Sequence, residues 1–247
     1  MLKTGGPHKL APVATAKLMR DSLRDLGDRK IAEHSSRFFK AGPGEYGEGD
    51  RFLGIRVPVL RANVRKFRGA SLRATVSLLK SPWHEERLFA VLLLVQEYKR
   101  GSESERDAIF DAYLQHRKYV NNWDIVDSSA HLIVGPHLQP GPRDLLYKLA
   151  VSDELWDRRI AMMSTYHYIR QQDFEDALKI AHLLKDDDHD LIHKVVGWML
   201  REIGNRSMRV EEEYLQRHYQ KMPRTMLRYA IEKFPEDRRK AYLNGTV

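Results

Sequence analysis

An all-α fold, an α-solenoid of stacked helical pairs, is predicted by three features of this sequence. Helix signals recur along the chain, while strand signals are scarce. Helix starts near residues 84, 121, 154, 189 and 223 are spaced 37, 33, 35 and 34 residues apart, as stacked two-helix repeats would be. Hydrophobic residues make up 42% of the 247, enough for a packed core and too many for a disordered chain. Residue-level similarity between the units is weak, so the period belongs to the helices rather than to a repeat consensus.

Taken in order, residues 1–41 read as an N-terminal helical pair, with apolar Ala14, Leu18, Leu23 and Leu26 spaced among charges. Residues 42–54 form a Gly-rich acidic insert, and residues 55–247 the main array, all within one domain, 1–247. The insert has Glu45, Glu48 and Asp50 where a phosphate-cradling loop needs Lys-Ser/Thr, so it reads as a linker. Pro58 suits the first turn of a helix over 58–68. The helix over 84–100 starts acidic and ends basic, and its apolar run 88–95 marks it as central and buried. Further helices are expected over 104–117, 122–134, 153–170, 173–184, 189–204, 207–220 and 224–234, with starts signalled by Ser81-Pro82, Ser152-Asp153, Asp188 and Pro223.

Charge narrows the partners. Forty-two basic residues against 34 acidic give a net charge of +8, which favours polyanions. The charge is also segregated: residues 51–80 hold eight Lys/Arg and no Asp/Glu, while residues 151–200 hold six basic and ten acidic. Segregation is expected if one face meets phosphate, and equally of a solvated basic helix. There is no cysteine, which excludes disulfides, thiolate metal sites and Cys nucleophiles and fits a reducing compartment. No apolar run is long enough for a membrane span, and the N-terminus lacks the apolar segment of a signal peptide, so a cytoplasmic protein is expected.

Several constellations could carry chemistry. Trp123 and Asp127 lie four apart on one helix face, with Asn122 a natural N-cap. The same pair also reads as a core Trp and a carboxylate that suits the helix dipole. Lys194, Trp198 and Arg201 make a cation–aromatic–cation stripe opposite an apolar face of Ile192, Val195, Val196, Met199, Leu200 and Ile203. That stripe suits a groove where an aromatic meets a sugar or base while cations hold phosphates, and also fits cations snorkelling around a half-buried Trp. Arg61, Arg65 and Arg68 share a face, as do Arg224 and Arg228; both sets read as phosphate-contacting ridges. Of Arg158 and Arg159, one is expected to face the groove and the other solvent. His189, Asp190 and His193 lack the Glu that follows the first His in zinc proteases, and Asp186–Asp188 more simply end one helix and cap the next, so no metal is expected. No nucleophile elbow of the G-x-S-x-G type is present.

The blocks FLGIRVPVLR (52–61), NWDIVD (122–127), LWDRRIA (155–161) and KVVGWMLRE (194–202), in that order, resemble the DNA alkylation repair family of AlkD-like HEAT-repeat glycosylases. The insert has the look of this family as well, and the resemblance covers most of the chain. It implies a curved HEAT-like array with a basic concave face, acting as a monomer on double-stranded DNA that contains alkylated purines, with no cofactor. Trp123 and Trp198 match the family's groove aromatics that approach the lesion's deoxyribose, and Asp127 matches its catalytic carboxylate. Arg159, a better match than Arg158, and Arg201 match phosphate-contacting arginines, and Phe38 in SRFFK matches an N-terminal aromatic. Some relatives without the Trp and Asp set are inactive; this sequence keeps it.

The implied chemistry is hydrolysis of the N-glycosidic bond of N3-alkyladenine or N7-alkylguanine, without base flipping and without a lyase step. An alkylated purine is already cationic, so it departs neutral and needs no general acid. Charge then develops on the deoxyribose as an oxocarbenium ion, which one carboxylate can stabilise while orienting water. Trp faces add cation–π attraction of about 0.5–2 kcal/mol each. The alternative is a non-catalytic binder of distorted or branched DNA on the same scaffold.

Overall fold

The computed structural model describes residues 14–247; the first part of the expected N-terminal pair lies outside the described residues. The described chain is helical, and its one bridge between extended segments is the isolated pair Arg51–Trp83. Two helices open it, α1 (Ala16–Arg24) and α2 (Arg29–Phe38), capped by the Thr15 and Asp28 side chains. After the insert come α3 (Val57–Val64), with Pro58 in its first turn, α4 (Leu72–Leu79), capped by Ser71, and α5 (His84–Tyr98).

From α4 onward the helices form two rows. One row runs α5, then α7 (Trp123–Asp127) with α8 (Ala130–Leu138), α10 (Leu155–Ser164), α13 (Asp190–Gly204) and α15 (Arg224–Ala230), each packed on the next. The other holds α4, α6 (Glu103–Gln115), α9 (Asp144–Ala150), α12 (Glu175–Leu183) and α14 (Met208–His218), packed against the first row. The first-row starts, 84, 123, 155, 190 and 224, reproduce the period read from the sequence. The short α11 (Tyr166–Ile169) follows α10, and α16 (Glu236–Asn244) ends the chain.

One apolar cluster runs from Met19 to Tyr242. Helix α5 lies at its centre with 12 of its 15 residues buried, as its all-round apolar pattern predicts. No helix of the described residues is long and apolar enough to cross a membrane.

Three expectations need correction. The helix expected over 153–170 breaks at Thr165, whose hydroxyl turns back to the Met162 carbonyl at 2.7 Å. The helix expected over 122–134 breaks at Ser128–Ser129, where the buried Ser129 hydroxyl donates to Ile125 O at 2.7 Å. The insert is not a linker. The Glu85 carboxylate accepts the N–H groups of Leu53, Gly54 and Ile55 at 2.8, 2.8 and 3.2 Å. Asp50 pairs with Arg87 at 2.6 Å and with His84 at 3.3 Å. The insert is thereby bolted to the start of α5.

Candidate nucleic-acid interface

The short α7 carries Trp123 at its first position and Asp127 at its last. The buried Asn122 caps it, its side-chain oxygen accepting from Trp123 N–H at 2.9 Å. Beneath Trp123 lies an aromatic stack: Phe39 faces Trp123 with ring centroids 5.3 Å apart and faces His84 at 4.5 Å. His84 is held between Asp124 at 2.9 Å and Asp50 at 3.3 Å. Burial opposes its protonation, but the Asp124 charge and the hydrogen bonds His84 donates to both carboxylates outweigh burial and raise its pKa to about 9. The platform under Trp123 thus rests on a buried cation.

Trp123 and Trp198 line one cleft of about 470 Å³, together with Phe38, Lys40, Tyr46, Arg159, Lys194 and Tyr229. Phe38 is 57% exposed and meets Trp123 edge-on at 5.9 Å, so α2 does supply an aromatic beside α7. Trp198 reaches the cleft because α13 and α15 approach closely at Gly197. A Cβ at Gly197 would stand 2.3 Å from Met226 O and 2.6 Å from Tyr229 Cβ. The apolar stripe of α13 is fully buried, as the sequence predicts. Lys194 lines the cleft and pairs along its own helix with Asp190 at 2.6 Å.

Asp127 is tucked beside this cleft and joined to it through Arg159. The Arg159 Nε and Nη2 donate to the two Asp127 oxygens at 2.9 and 2.7 Å, and Nη1 donates to Leu191 O at 2.6 Å. Burial raises the Asp127 pKa, and the Arg159 charge and hydrogen bonds offset part of that rise. The pair binds α7 to α10 and to the start of α13.

The arginine assignments change accordingly. Arg159, expected at a phosphate, is only 4% exposed and spends its donors on Asp127 and Leu191. Its neighbour Arg158 does not face solvent either; it pairs with Asp187 at 2.6 Å. Arg201 is also turned away from the cleft and pairs with Glu232 beyond α15. Of the Arg224–Arg228 ridge both members are exposed, and Arg224 donates to Leu243 O at 2.8 Å.

A second feature adjoins α7. Arg61, Arg65 and Arg68 are exposed and line a groove of about 670 Å³ with Lys99 and Arg100, reaching Ser128 and Leu132. Five cations and no carboxylate line it. Lys99 and Arg100 follow directly on α5, and reading them as a basic helix end that suits the dipole hid them as groove residues. Asp127 thus adjoins both features: its neighbour Ser128 lines the groove, and its partner Arg159 lines the aromatic cleft.

Further along, His131 and Trp198 flank Tyr166, at 5.3 and 6.3 Å between ring centroids. Burial, with Arg170 and Lys99 nearby, depresses the His131 pKa to about 4, so this aromatic row is neutral near pH 7. The expected helix-capping role near residue 188 falls to His189, whose own N–H donates to the Asp187 carboxylate at 2.8 Å. His189 Nδ1 accepts from Leu191 N–H at 3.1 Å, and His193 bonds to Asp187 O. Among the described residues no three His, Cys, Asp or Glu side chains converge as metal ligands.

Comparison with known proteins bears on this arrangement directly. The family model described as DNA alkylation repair enzyme matches residues 19–234, which hold both rows, the cleft and the groove. The chain belongs to the DNA alkylation repair enzyme family. Among solved structures, one titled a predicted DNA alkylation repair enzyme from Enterococcus faecalis is similar with a TM-score of 0.65 and 17% identity. The match covers 85% of this chain and 97% of that one. At that identity the likeness concerns the fold. No curated protein matches. All the cleft residues named above, and the cations of the groove, fall inside the span matched by the DNA alkylation repair family.

Proposed function

We propose that this protein is a monofunctional DNA glycosylase that hydrolyses the N-glycosidic bond of cationic alkylpurines, N3-alkyladenine and N7-alkylguanine, in double-stranded DNA. One observation carries the reading: Trp123 and Trp198, from different helices, line the same cleft as the arginine that holds Asp127. Family membership supports a role in DNA repair, and the adjoining groove supplies a track for phosphates.

The chemistry follows from the residues. The departing base is neutral, so no proton donor is required. The oxocarbenium ion forming on the sugar meets the aromatic faces of Trp123 and Trp198 and the field of Asp127. An ionised carboxylate has about four lone-pair sites, and bidentate pairing with Arg159 occupies two of them. The others remain for an attacking water. Arg159 also opposes the upward pull that burial exerts on the Asp127 pKa, and so favours the charged form the chemistry needs. Reaction without base flipping suits a cleft between helix ends rather than an enclosed base pocket.

The second reading, a non-catalytic binder of distorted or branched DNA, gains from the same ion pair, because Asp127 is already engaged. A base-release assay on methylated duplex DNA separates the two. Release by wild type and its loss in Asp127→Asn support the glycosylase; tight, salt-dependent binding with no release supports the binder.

A further inference from the structure

Lys40 closes α2 in an unusual way. Its N–H donates to Arg37 O at 3.3 Å, the Ala41 N–H donates to Ser36 O at 3.0 Å, and Lys40 itself has φ 49°. This is the left-handed helix ending in which glycine is the ordinary residue, because a Cβ is crowded there. Lysine holds the position at a conformational cost, and such costs cluster at functional sites.

The chain then doubles back. Gly47 N–H donates to Lys40 O at 3.0 Å, and a Cβ at Gly47 would stand 2.4 Å from Phe39 O. The turn is pinned by Glu45 and Glu48, whose carboxylates accept from Gly42 and Gly44 N–H, each at 2.9 Å. This return sets Tyr46 beside Lys40, with the Lys40 Nζ 6.0 Å from the ring centroid. Both side chains line the cleft of Trp123 and Trp198, and Lys194 lines it too, near enough for its charge to act on the Tyr46 phenol.

We propose that Lys40, Tyr46 and Lys194 form a seat for a DNA phosphodiester inside this cleft, apart from the Arg61–Arg65 groove. Ammonium groups and a tyrosine hydroxyl are ordinary phosphate donors. Burial raises the Tyr46 pKa, so the phenol keeps its proton and donates it. Lys194, paired among the described residues with Asp190 one turn back on its own helix, can exchange that partner for a phosphate. The identity of the gripped nucleotide, the one whose sugar meets the two Trp faces, rests on the glycosylase reading; the grip itself does not.

Lys40→Gly separates this role from a structural one, since glycine relieves the left-handed strain. The test measures thermal stability and titrates a short DNA duplex against wild type, Lys40→Gly and Tyr46→Phe over a range of salt. Lys40→Gly is expected to melt at or above the wild-type temperature and to bind roughly tenfold more weakly. Its plot of log K against log salt should be flatter by about 0.9, one phosphate contact. Tyr46→Phe should bind more weakly with an unchanged slope. Unchanged affinity and slope in Lys40→Gly, or a lower melting temperature, would overturn the proposal. If wild type releases no alkylpurine, the glycosylase reading fails while the salt slopes still decide whether the seat exists.

Discussion

Replacing Arg159 with Met tests the reassignment of this residue from DNA to Asp127. The pair is bidentate at 2.9 and 2.7 Å, a third donor meets Leu191 O at 2.6 Å, and the Asp127 side chain is only 15% exposed. Removing one member of a buried pair strands the other charge at a cost of about 3–5 kcal/mol. For a chain of this size each kcal/mol moves Tm by about 2–4 °C, so the variant should melt roughly 6–20 °C lower. Asp127→Asn added to Arg159→Met removes the stranded charge and should recover part of the loss. Without Arg159, the carboxylate that burial already raises should move higher still, shifting the acid limb of base release to higher pH. The sign is set by the raised pKa: Asp127 favours the folded state at acid pH and loses that contribution as pH rises through its folded value. Thermal melts and salt-dependent DNA binding provide the assay. A loss below about 1 kcal/mol together with a flattened salt slope would refute the reasoning and return Arg159 to the phosphate.

Three further outcomes follow. His84 has a folded pKa of about 9 against an ordinary 6.5, so its stabilisation is full below pH 6.5 and fades as pH rises through 9; melts across that window should show the decline, and His84→Gln should flatten it. Gly197→Ala, favourable by about 1 kcal/mol in an ordinary helix, should instead destabilise by about 1–3 kcal/mol through its clash with Met226 O and Tyr229 Cβ, as chemical denaturation would measure. Arg61→Glu or Arg65→Glu should leave stability within about 0.5 kcal/mol yet weaken duplex binding and flatten its salt slope, because both side chains are exposed and line the basic groove.

Local patterns in the sequence were enough for the helical array. The regular spacing of first-row starts and the buried stripe of α13 survive because they depend on helical period alone. Helices α4, α9 and α16 span only 8, 7 and 9 residues, about two turns each, too short for their patterns to stand out along the chain. The breaks at Ser128–Ser129 and Thr165 come from hydroxyls turning onto carbonyls of the preceding turn, which periodicity does not register. Phe38, Trp123, Lys194 and Trp198 meet in one cleft. The arginines were less legible, because an Arg on a helix face reads the same whether it meets solvent, phosphate or a carboxylate brought near by folding. Arg159 finds Asp127, and Arg201 finds Glu232, each across about 30 residues of sequence. Tyr46 was hidden for a related reason: a Gly-rich acidic stretch looks solvated until Asp50 is seen against Arg87 and His84.

Asp127 carries the central claim, and single-turnover base release from methylated duplex DNA, with wild type and Asp127→Asn side by side, tests it most directly. Wild type should liberate N7-methylguanine and N3-methyladenine. The variant should bind the same duplex yet release base about 100- to 1000-fold more slowly, the usual effect of removing one preorganised electrostatic stabiliser. Equal release by the two proteins would contradict the mechanism, and no release by wild type would contradict the function.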